Sequence, residues 1–323
     1  MKERAEIASY AAAILSERRF EAEKLADERR LEVASAVPEY AGTEKEIREE
    51  GLKLVKLAVR GGAGTEEYGK TEANLRELGE KLAGVLKAAG YPADYVDNCH
   101  TCKKCRDKGY VEDENGVQTY CECYTELCRQ AVLEESGIPV KKGFEAFDAE
   151  VYAPQDRREA LEKLEDAKRF TADMQGSRNM LFYGKAGSGK TYLASLAATE
   201  ACRKGFYTVY ATVPLLMQNL LYYGEDERAL ARRDSTYEII HSADLLILDE
   251  LGTERMTPAR RDMLSGIIDG IVTDSSRKCI VISNLTLPEI LENYGERIFS
   301  RLAAMQLVKF DFEASGDLRL RLK

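Results

Sequence analysis

The chain has 323 residues, 44% of them hydrophobic and 32% charged, with a formal net charge of −9 at neutral pH. That length allows one large core domain with one or two smaller units. The acidic balance excludes a polybasic nucleic-acid coat, so any such contact must come from a local patch or from its repetition around an oligomer. No apolar run approaches the roughly 18–20 residues that a membrane span needs. The opening MKERAEIASYAAAILSERRF has a short apolar stretch followed at once by charges, the pattern of an amphipathic helix and not of a secretion signal. The expectation is a cytoplasmic protein, in which disulfides are disfavoured.

Residues 3 to 90 read as three helices. The first carries Ile7, Tyr10, Ala11, Ile14 and Leu15 at helical spacing and is expected to run to Val37, where Pro38 stops it. The second is expected around Glu44–Arg60, ending at Gly61-Gly62, and the third over Glu72–Ala89 before Gly90 and Pro92. Dense Glu, Arg and Lys between the apolar positions fit a thin helical hairpin or bundle. Such a region either packs only on itself or serves as an arm that docks a partner, and its pattern does not separate the two.

The stretch NCHTCKKCRDKGYVEDENGVQTYCECYTELC comes next, with six of the eight cysteines. Cys102-x-x-Cys105 and Cys121-x-Cys123 are separated by fifteen residues. Tyr110-Val111 and Val117–Tyr120 can form a hairpin about an Asn115-Gly116 turn, which would bring the two thiolate pairs together around a tetrahedral Zn²⁺. A redox Cys-x-x-Cys would instead open a helix after a strand, and no such unit is visible. Two alternatives remain open: Cys99 with Cys102 as a shifted pair, and His100 as a substitute ligand. Cys128 is expected to pack in the following helix, and Cys202 and Cys279 lie without partner motifs in a helix and a strand.

A connector, IPVKKGFEAFDAEVYAPQDRREA, leads into a helix expected over Gln155–Met174. From Asn179 onward apolar strands alternate with helices, the signature of a parallel α/β sheet. Strands are expected at 179–183, 206–211, 245–249, 279–283 and 307–312. The domains then divide as 1–95 (helical), 96–135 (cysteine module), 136–178 (linker and leading helix) and 179–323 (α/β domain).

Between the first strand and its helix lies GKAGSGKT, Gly184 to Thr191, a full match to the phosphate-binding pattern G-x-x-x-x-G-K-[ST] in its required context. Gly184, Gly187, Ser188 and Gly189 would let backbone N–H groups curl around a phosphate at the helix N-terminus, with Tyr192 just behind. Lys190 would bridge the β- and γ-phosphates of ATP, and the Thr191 hydroxyl would ligate Mg²⁺. LLILDE ends a buried strand with Asp249, placed to hold the Mg²⁺ through water, and Glu250, placed to orient or deprotonate the attacking water. Asn284, at the tip of CIVISN, either positions that water or merely caps the next helix. Arg297 and Arg301 lie four residues apart near one helix face. They are either an ordinary surface pair or groups that reach a neighbouring subunit's γ-phosphate. Arg319 could approach the nucleotide from the C-terminal side.

GKAGSGKT, the VPLLMQNLL helix, LLILDELGTE, VISNLT and GERIFSRL, in that order, resemble the DnaC/DnaI-type helicase loaders, an AAA+ family related to the IstB transposition ATPases. The resemblance covers roughly residues 140–323, and the upstream cysteine pattern resembles the zinc-bearing part of the DnaI-like branch. It implies an α/β AAA+ P-loop core with a five-stranded parallel sheet, preceded by a helical region and a small zinc-binding hairpin. It also implies Walker A roles for Lys190 and Thr191, Walker B roles for Asp249 and Glu250, and the sensor-1 role for Asn284. Arg301, with Arg297 beside it, falls at the arginine-finger position, and Arg319 near sensor 2. The implied function is an ATPase that loads the replicative DNA helicase, with ATP, Mg²⁺ and Zn²⁺ as cofactors and with self-association through the ATPase domain. Single-stranded DNA contact is implied for the insertion holding Tyr222, Tyr223, Arg228, Arg232 and Arg233. The alternative there is that the tyrosines pack in the core and the arginines are solvated. The rival functions are an IstB-like transposition ATPase, a P-loop small-molecule kinase and a non-hydrolysing ATP-dependent adaptor.

Overall fold

A computed structural model describes residues 3–61, 64–114, 116–221 and 226–320. The chain divides into two compact units, Ala12–Tyr124 and a larger one formed by Met1–Ala11 with Thr125–Lys323.

In the smaller unit, α1 (Arg4–Ala36, its first turns belonging to the larger unit) is followed by α2 (Pro38–Val59) and α3 (Glu66–Ala88). The second helix starts at Pro38 and not near Glu44, because proline's fixed φ and missing N–H suit a first helical turn. The third starts earlier than Glu72 because Thr65 caps it, accepting from the Tyr68 N–H. A small apolar cluster joins Ala26, Val33, Tyr40, Leu86 and Val96. The far end of α2 leaves Leu52, Val55 and Val59 exposed. The unit ends in the hairpin of β1 (Tyr110–Glu112) and β2 (Gln118–Tyr120), whose register pairs Tyr110 with Tyr120. Of the expected turn, Asn115 lies outside the described residues, and Gly116 takes a positive φ of 79°.

In the larger unit, α4 (Glu122–Glu135, its first residues shared with the smaller unit) and α5 (Arg157–Ala172) precede β3 (Met180–Gly184) and α6 (Lys190–Arg203). The chain continues through β4 (Thr208–Thr212), α7 (Val213–Leu220), α8 (Glu227–Ser242), β5 (Leu245–Leu251) and α9 (Pro258–Thr273). It closes with β6 (Lys278–Ser283), α10 (Leu287–Ala303) and β7 (Gln306–Phe310). The five strands form one parallel sheet in the order β4-β5-β6-β3-β7. The inner strands read as unbroken apolar runs because helices cover both faces: Met180–Phe182, Leu245–Leu248 and Ile280–Val281 are all within 1% of full burial. The edge strand β7 alternates instead, with Leu307 exposed and Val308 and Phe310 buried. No described helix is long and apolar enough to cross a membrane.

Two local breaks interrupt these regular elements. The β5–β6 register shifts between Leu248 and Leu251, and Glu250 there has a φ of 60°. Gly295, at φ 78°, interrupts α10 immediately before the segment carrying Arg297 and Arg301.

Candidate functional site

The carboxyl ends of β3, β5 and β6 open into one cavity of about 610 Å³. Crevices there are where ligands of open α/β sheets bind. The GKAGSGKT loop leaves β3 and ends at Gly189, which adopts φ 91° as the residue preceding α6. A side chain at Gly189 would meet the Tyr152 hydroxyl at 2.8 Å, so only glycine fits both the backbone and the space. Ser188 closes the loop by donating to the Lys185 carbonyl at 2.7 Å.

Lys190 is buried, and its ammonium donates to the Gly184 and Lys185 carbonyls at 2.8 and 2.6 Å. Burial pulls its pKa down to about 8; Arg319 adds to this, while the Asp249 carboxylate opposes it. The ammonium is therefore under-solvated and held by two neutral carbonyls and, at 3.4 Å, the Ser188 hydroxyl, a state that favours an incoming anion.

Asp249 is 3% exposed and accepts three hydrogen bonds. Its Oδ2 accepts from the Thr191 and Tyr210 hydroxyls, each at 2.7 Å, and its Oδ1 from the Glu250 N–H at 2.6 Å. In a regular strand, consecutive side chains point to opposite faces, so Asp249 and Glu250 could not both face one cavity. The break at Leu248–Leu251, with Glu250 in the left-handed region, brings both to the cavity wall. The Thr253 N–H and hydroxyl hold the turn by donating to the Glu250 carbonyl. Asn284 and Arg319 also line the cavity. Arg319 is brought in by the C-terminal segment, where the Leu318 N–H donates to the Gly187 carbonyl at 2.9 Å.

Thr191 and Asp249 present two hard oxygen donors 2.7 Å apart beside the phosphate-binding loop, a donor set that fits Mg²⁺.

Sequence reasoning missed two parts of this site. One is Tyr210, on the strand beside β5, whose hydroxyl pKa is pushed up by burial and by its bond to Asp249. A tyrosine in an edge strand gives no signal of such a role until the sheet order is known. The other is the apolar wall formed by Val140, Ala146, Val151, Tyr152 and Leu318. Apart from Leu318, it comes from the connector, where Phe144, Phe147, Val151 and Tyr152 were a legible apolar signal in a segment read only as linker. Tyr192 serves this wall, since its hydroxyl donates to the Ala146 carbonyl at 2.6 Å. The Ser315 hydroxyl, donating to Asp156 at 2.5 Å, ties the C-terminal segment to the same connector.

Arg297 and Arg301 do not line this cavity. Both pair with Asp269 on α9, Arg297 at 2.8 Å. Of the insertion, Tyr222 and Tyr223 lie outside the described residues, while Arg228, Arg232 and Arg233 stand on α8.

In the smaller unit, the sulfurs of Cys102, Cys105, Cys121 and Cys123 all lie within 4.8 Å of one another. The Cys102–Cys121 and Cys105–Cys123 sulfurs are 3.7 and 3.3 Å apart. Four thiolates at about 2.3 Å from Zn²⁺ would be about 3.8 Å apart, so the donor set fits that ion. Gly109, at φ 85°, donates its N–H to Cys105 Sγ and its carbonyl accepts from the Cys121 N–H, locking the two pairs together. Asp107, fully buried, accepts from the Thr101 and Cys102 N–H groups at 2.9 Å each. Cys99 is outside this group: its thiol donates to the Val96 carbonyl and accepts from Arg29. His100 Nδ1 faces Asp107 at 3.4 Å and is likewise outside it. None of the eight cysteines is disulfide-bonded.

The sequence pattern of the IstB-like ATP binding proteins matches residues 127–305, more than half of the chain. Replicative helicase loader DnaC of Escherichia coli K12 is 24% identical over 148 residues, covering 44% of this chain and 57% of that protein. The insertion sequence ATP-binding protein y4pL of Sinorhizobium fredii is 34% identical over 134 residues, covering 38% of this chain and 50% of its own length. A crystal structure of the DnaC helicase loader superposes with a TM-score of 0.42 at 20% identity, covering 52% of this chain and 96% of that one. The chain thus spans about half the length of the curated relatives it matches. A phosphate-binding loop on a five-stranded parallel sheet, the paired Thr191 and Asp249, and a sequence match across more than half its length place this chain in the IstB-like ATP binding protein family.

Proposed function

We propose that the protein is a cytoplasmic ATPase that loads the replicative DNA helicase. It would bind and hydrolyse ATP at interfaces between its own subunits and contact single-stranded DNA through the α8 region. The observation that carries this reading is the pairing of a nucleotide cavity lined by Lys190, Asp249, Glu250 and Asn284 with a four-cysteine module upstream of it.

In this reading the Lys190 ammonium leaves the Gly184 and Lys185 carbonyls for the β- and γ-phosphate oxygens, while the backbone N–H groups of Gly187–Lys190 cradle the β-phosphate. The apolar wall at Val140, Val151 and Tyr152 takes the base. Bound Mg²⁺ supplies charge neutralisation at the phosphate oxygens. Thr191 and Asp249 hold it, and Tyr210 keeps the Asp249 carboxylate oriented once the Thr191 hydroxyl turns away. Glu250 orients the attacking water and accepts its proton, with Asn284 fixing the water from β6. Arg301 or Arg297, exchanging Asp269 for a neighbouring subunit's γ-phosphate, stabilises transition-state charge. The four thiolates of Cys102, Cys105, Cys121 and Cys123 hold Zn²⁺ as a structural staple, and the helical and cysteine regions grip the helicase.

Capture of the organism's replicative helicase by the full chain, compared with a chain lacking residues 1–135, tests this. The full chain should retain the helicase and the shortened one should lose it. Equal retention would sink the gripping role.

A second reading, a regulator of a transposase, is favoured by the 34% identity to an insertion sequence ATP-binding protein. It predicts ATP-dependent assembly on duplex DNA without helicase capture.

A further inference from the structure

The first cysteine knuckle, CKKCRDKGY, concentrates cations in a chain of net charge −9. Lys103, Lys104, Arg106 and Lys108 are all exposed. Lys103 and Arg106 border a shallow pocket that Asp94 and Asp97 also line. Among the described residues, no carboxylate pairs with Lys104 or Lys108. The loop that carries them is fixed: the Arg106 N–H donates to the Cys102 carbonyl at 2.8 Å, and the Lys108 N–H to the Cys105 carbonyl at 3.0 Å. The cations thus stand on a pre-ordered scaffold.

An aromatic platform begins two residues on. Tyr110 and Tyr120 are register partners across the hairpin, so their rings share one face, and they are 40% and 73% exposed. The Tyr120 ring lies 4.8 Å from that of Tyr124, at 21° to it. Large aromatics are not left this open for stability, since burying a ring is favourable. The acidic groups on the first strand and turn of the hairpin lie toward its tip, and Glu122 follows the second strand at its base. Glu112, next on the same face, directs a carboxylate oxygen to within 3.6 Å of where a Gly116 side chain would stand. Asp113 accepts from the Val117 N–H across the turn. Lys108 precedes Tyr110 by two residues, so the basic knuckle runs directly into the strand that carries the tyrosine pair, at the end of the hairpin opposite Glu112.

Cations beside open aromatic rings are the combination that binds a single nucleic-acid strand, phosphates to the ammonium groups and bases to the rings. We infer that the knuckle–hairpin surface of Lys104, Lys108, Tyr110 and Tyr120 is a contact site for single-stranded DNA, distinct from the α8 region. A duplex, whose bases are already stacked, offers nothing to the tyrosines. The inference rests on the proposed function in one respect, that the protein meets exposed single strands.

The test is fluorescence anisotropy of a labelled thymidylate oligomer with the full chain, over a range of salt concentrations and with ATP present. Three variants are compared: Lys104→Ala/Lys108→Ala, Tyr120→Ala and Arg232→Ala/Arg233→Ala. Zinc content and ATP affinity check that the hairpin variants remain folded, and Tyr120→Phe keeps the ring. The double lysine variant should bind several-fold more weakly, and its salt slope should fall by about 1.4, from about 0.7 per lost phosphate contact on single strands. Tyr120→Ala should lose about tenfold and Tyr120→Phe little, as expected for a stacking platform. If both hairpin variants bind like the wild type while Arg232→Ala/Arg233→Ala fails, the inference is wrong and the α8 contact stands. If the wild type binds no single strand, the inference and the DNA-contact part of the proposed function fall together. A tenfold preference for a uridylate oligomer would overturn the assignment to DNA.

Discussion

The α/β core and the cysteine hairpin both hold polar groups at fixed positions, and they do so by opposite means. Around the cavity the scaffold is apolar: a strand buried on both faces carries Asp249 and Glu250 near its end, so the groups proposed for catalysis ride on a packed sheet. The hairpin has two strands of three residues each, with most of their side chains exposed. Its order comes from backbone bonds to Asp107 and Cys105 and from four converging sulfurs. Each region should therefore fail by its own route. Losing a side chain at the cavity should cost chemistry without unfolding, and losing a thiol at the hairpin should cost structure without chemistry.

The largest expected effect breaks the hairpin. A structural zinc site contributes on the order of 10 kcal/mol to a small module. Cys102→Ser or Cys121→Ser should therefore abolish bound zinc and strip hydrogen-exchange protection from residues 99–123. Protection across β3, β5 and β6, and ATP affinity, should stay unchanged. Unchanged zinc in either variant would exclude that ligand.

Next in size is Glu250→Gln, which keeps shape and removes the proposed base. Steady-state hydrolysis should fall by about 10²–10⁴-fold with ATP affinity nearly intact. Hydrolysis at the wild-type rate would show that this carboxylate is not the base.

The depressed pKa of Lys190 predicts a pH effect of known sign. The free site holds this lysine at about 8, and phosphate contact should raise it, so the complex binds more protons than the free protein above that pH. ATP affinity should fall as pH rises beyond about 8, approaching tenfold per unit. A flat profile from pH 7 to 10 would show that the free site does not depress the pKa of this lysine.

The smallest effect concerns Tyr210. Tyr210→Phe removes one hydrogen bond to a charged acceptor, a loss of about 1.5–3 kcal/mol. The Mg²⁺ concentration needed for half-maximal hydrolysis should rise about ten- to a hundredfold, while Mg²⁺-free nucleotide binding holds. In an Asp249→Asn background the same change should have little further effect, and an undiminished effect there would place Tyr210's role elsewhere.

The parts of the fold legible in the sequence were those set by local pattern. The strands expected at 179–183, 245–249 and 279–283, each within two residues of those observed, and the loop Gly184–Thr191 between strand and helix, follow from periodicity and glycine placement alone. Helix starts were less legible where one residue sends two signals: Pro38 both ends α1 and opens α2. The arrangement around Asp249 was out of reach, because the Tyr210 contact depends on which strand neighbours β5 and the Glu250 turn on a break in strand pairing. The cysteine spacing pointed to the four thiols that converge, Cys102, Cys105, Cys121 and Cys123, but left Cys99 and His100 open as substitutes. Excluding Cys99 depends on its engagement by the nearby Val96 carbonyl and by Arg29, which comes from a distant position in the chain.

The central claim, that ATP turnover here times the delivery of a helicase, is tested most directly by transfer of the organism's replicative helicase onto a closed circle of single-stranded DNA. The wild-type protein with ATP should place helicase on the circle and then leave it. Glu250→Gln should remain bound in a helicase–DNA complex that does not mature, and Lys190→Ala should deliver none. Equal delivery by all three proteins, or by none, would contradict the account.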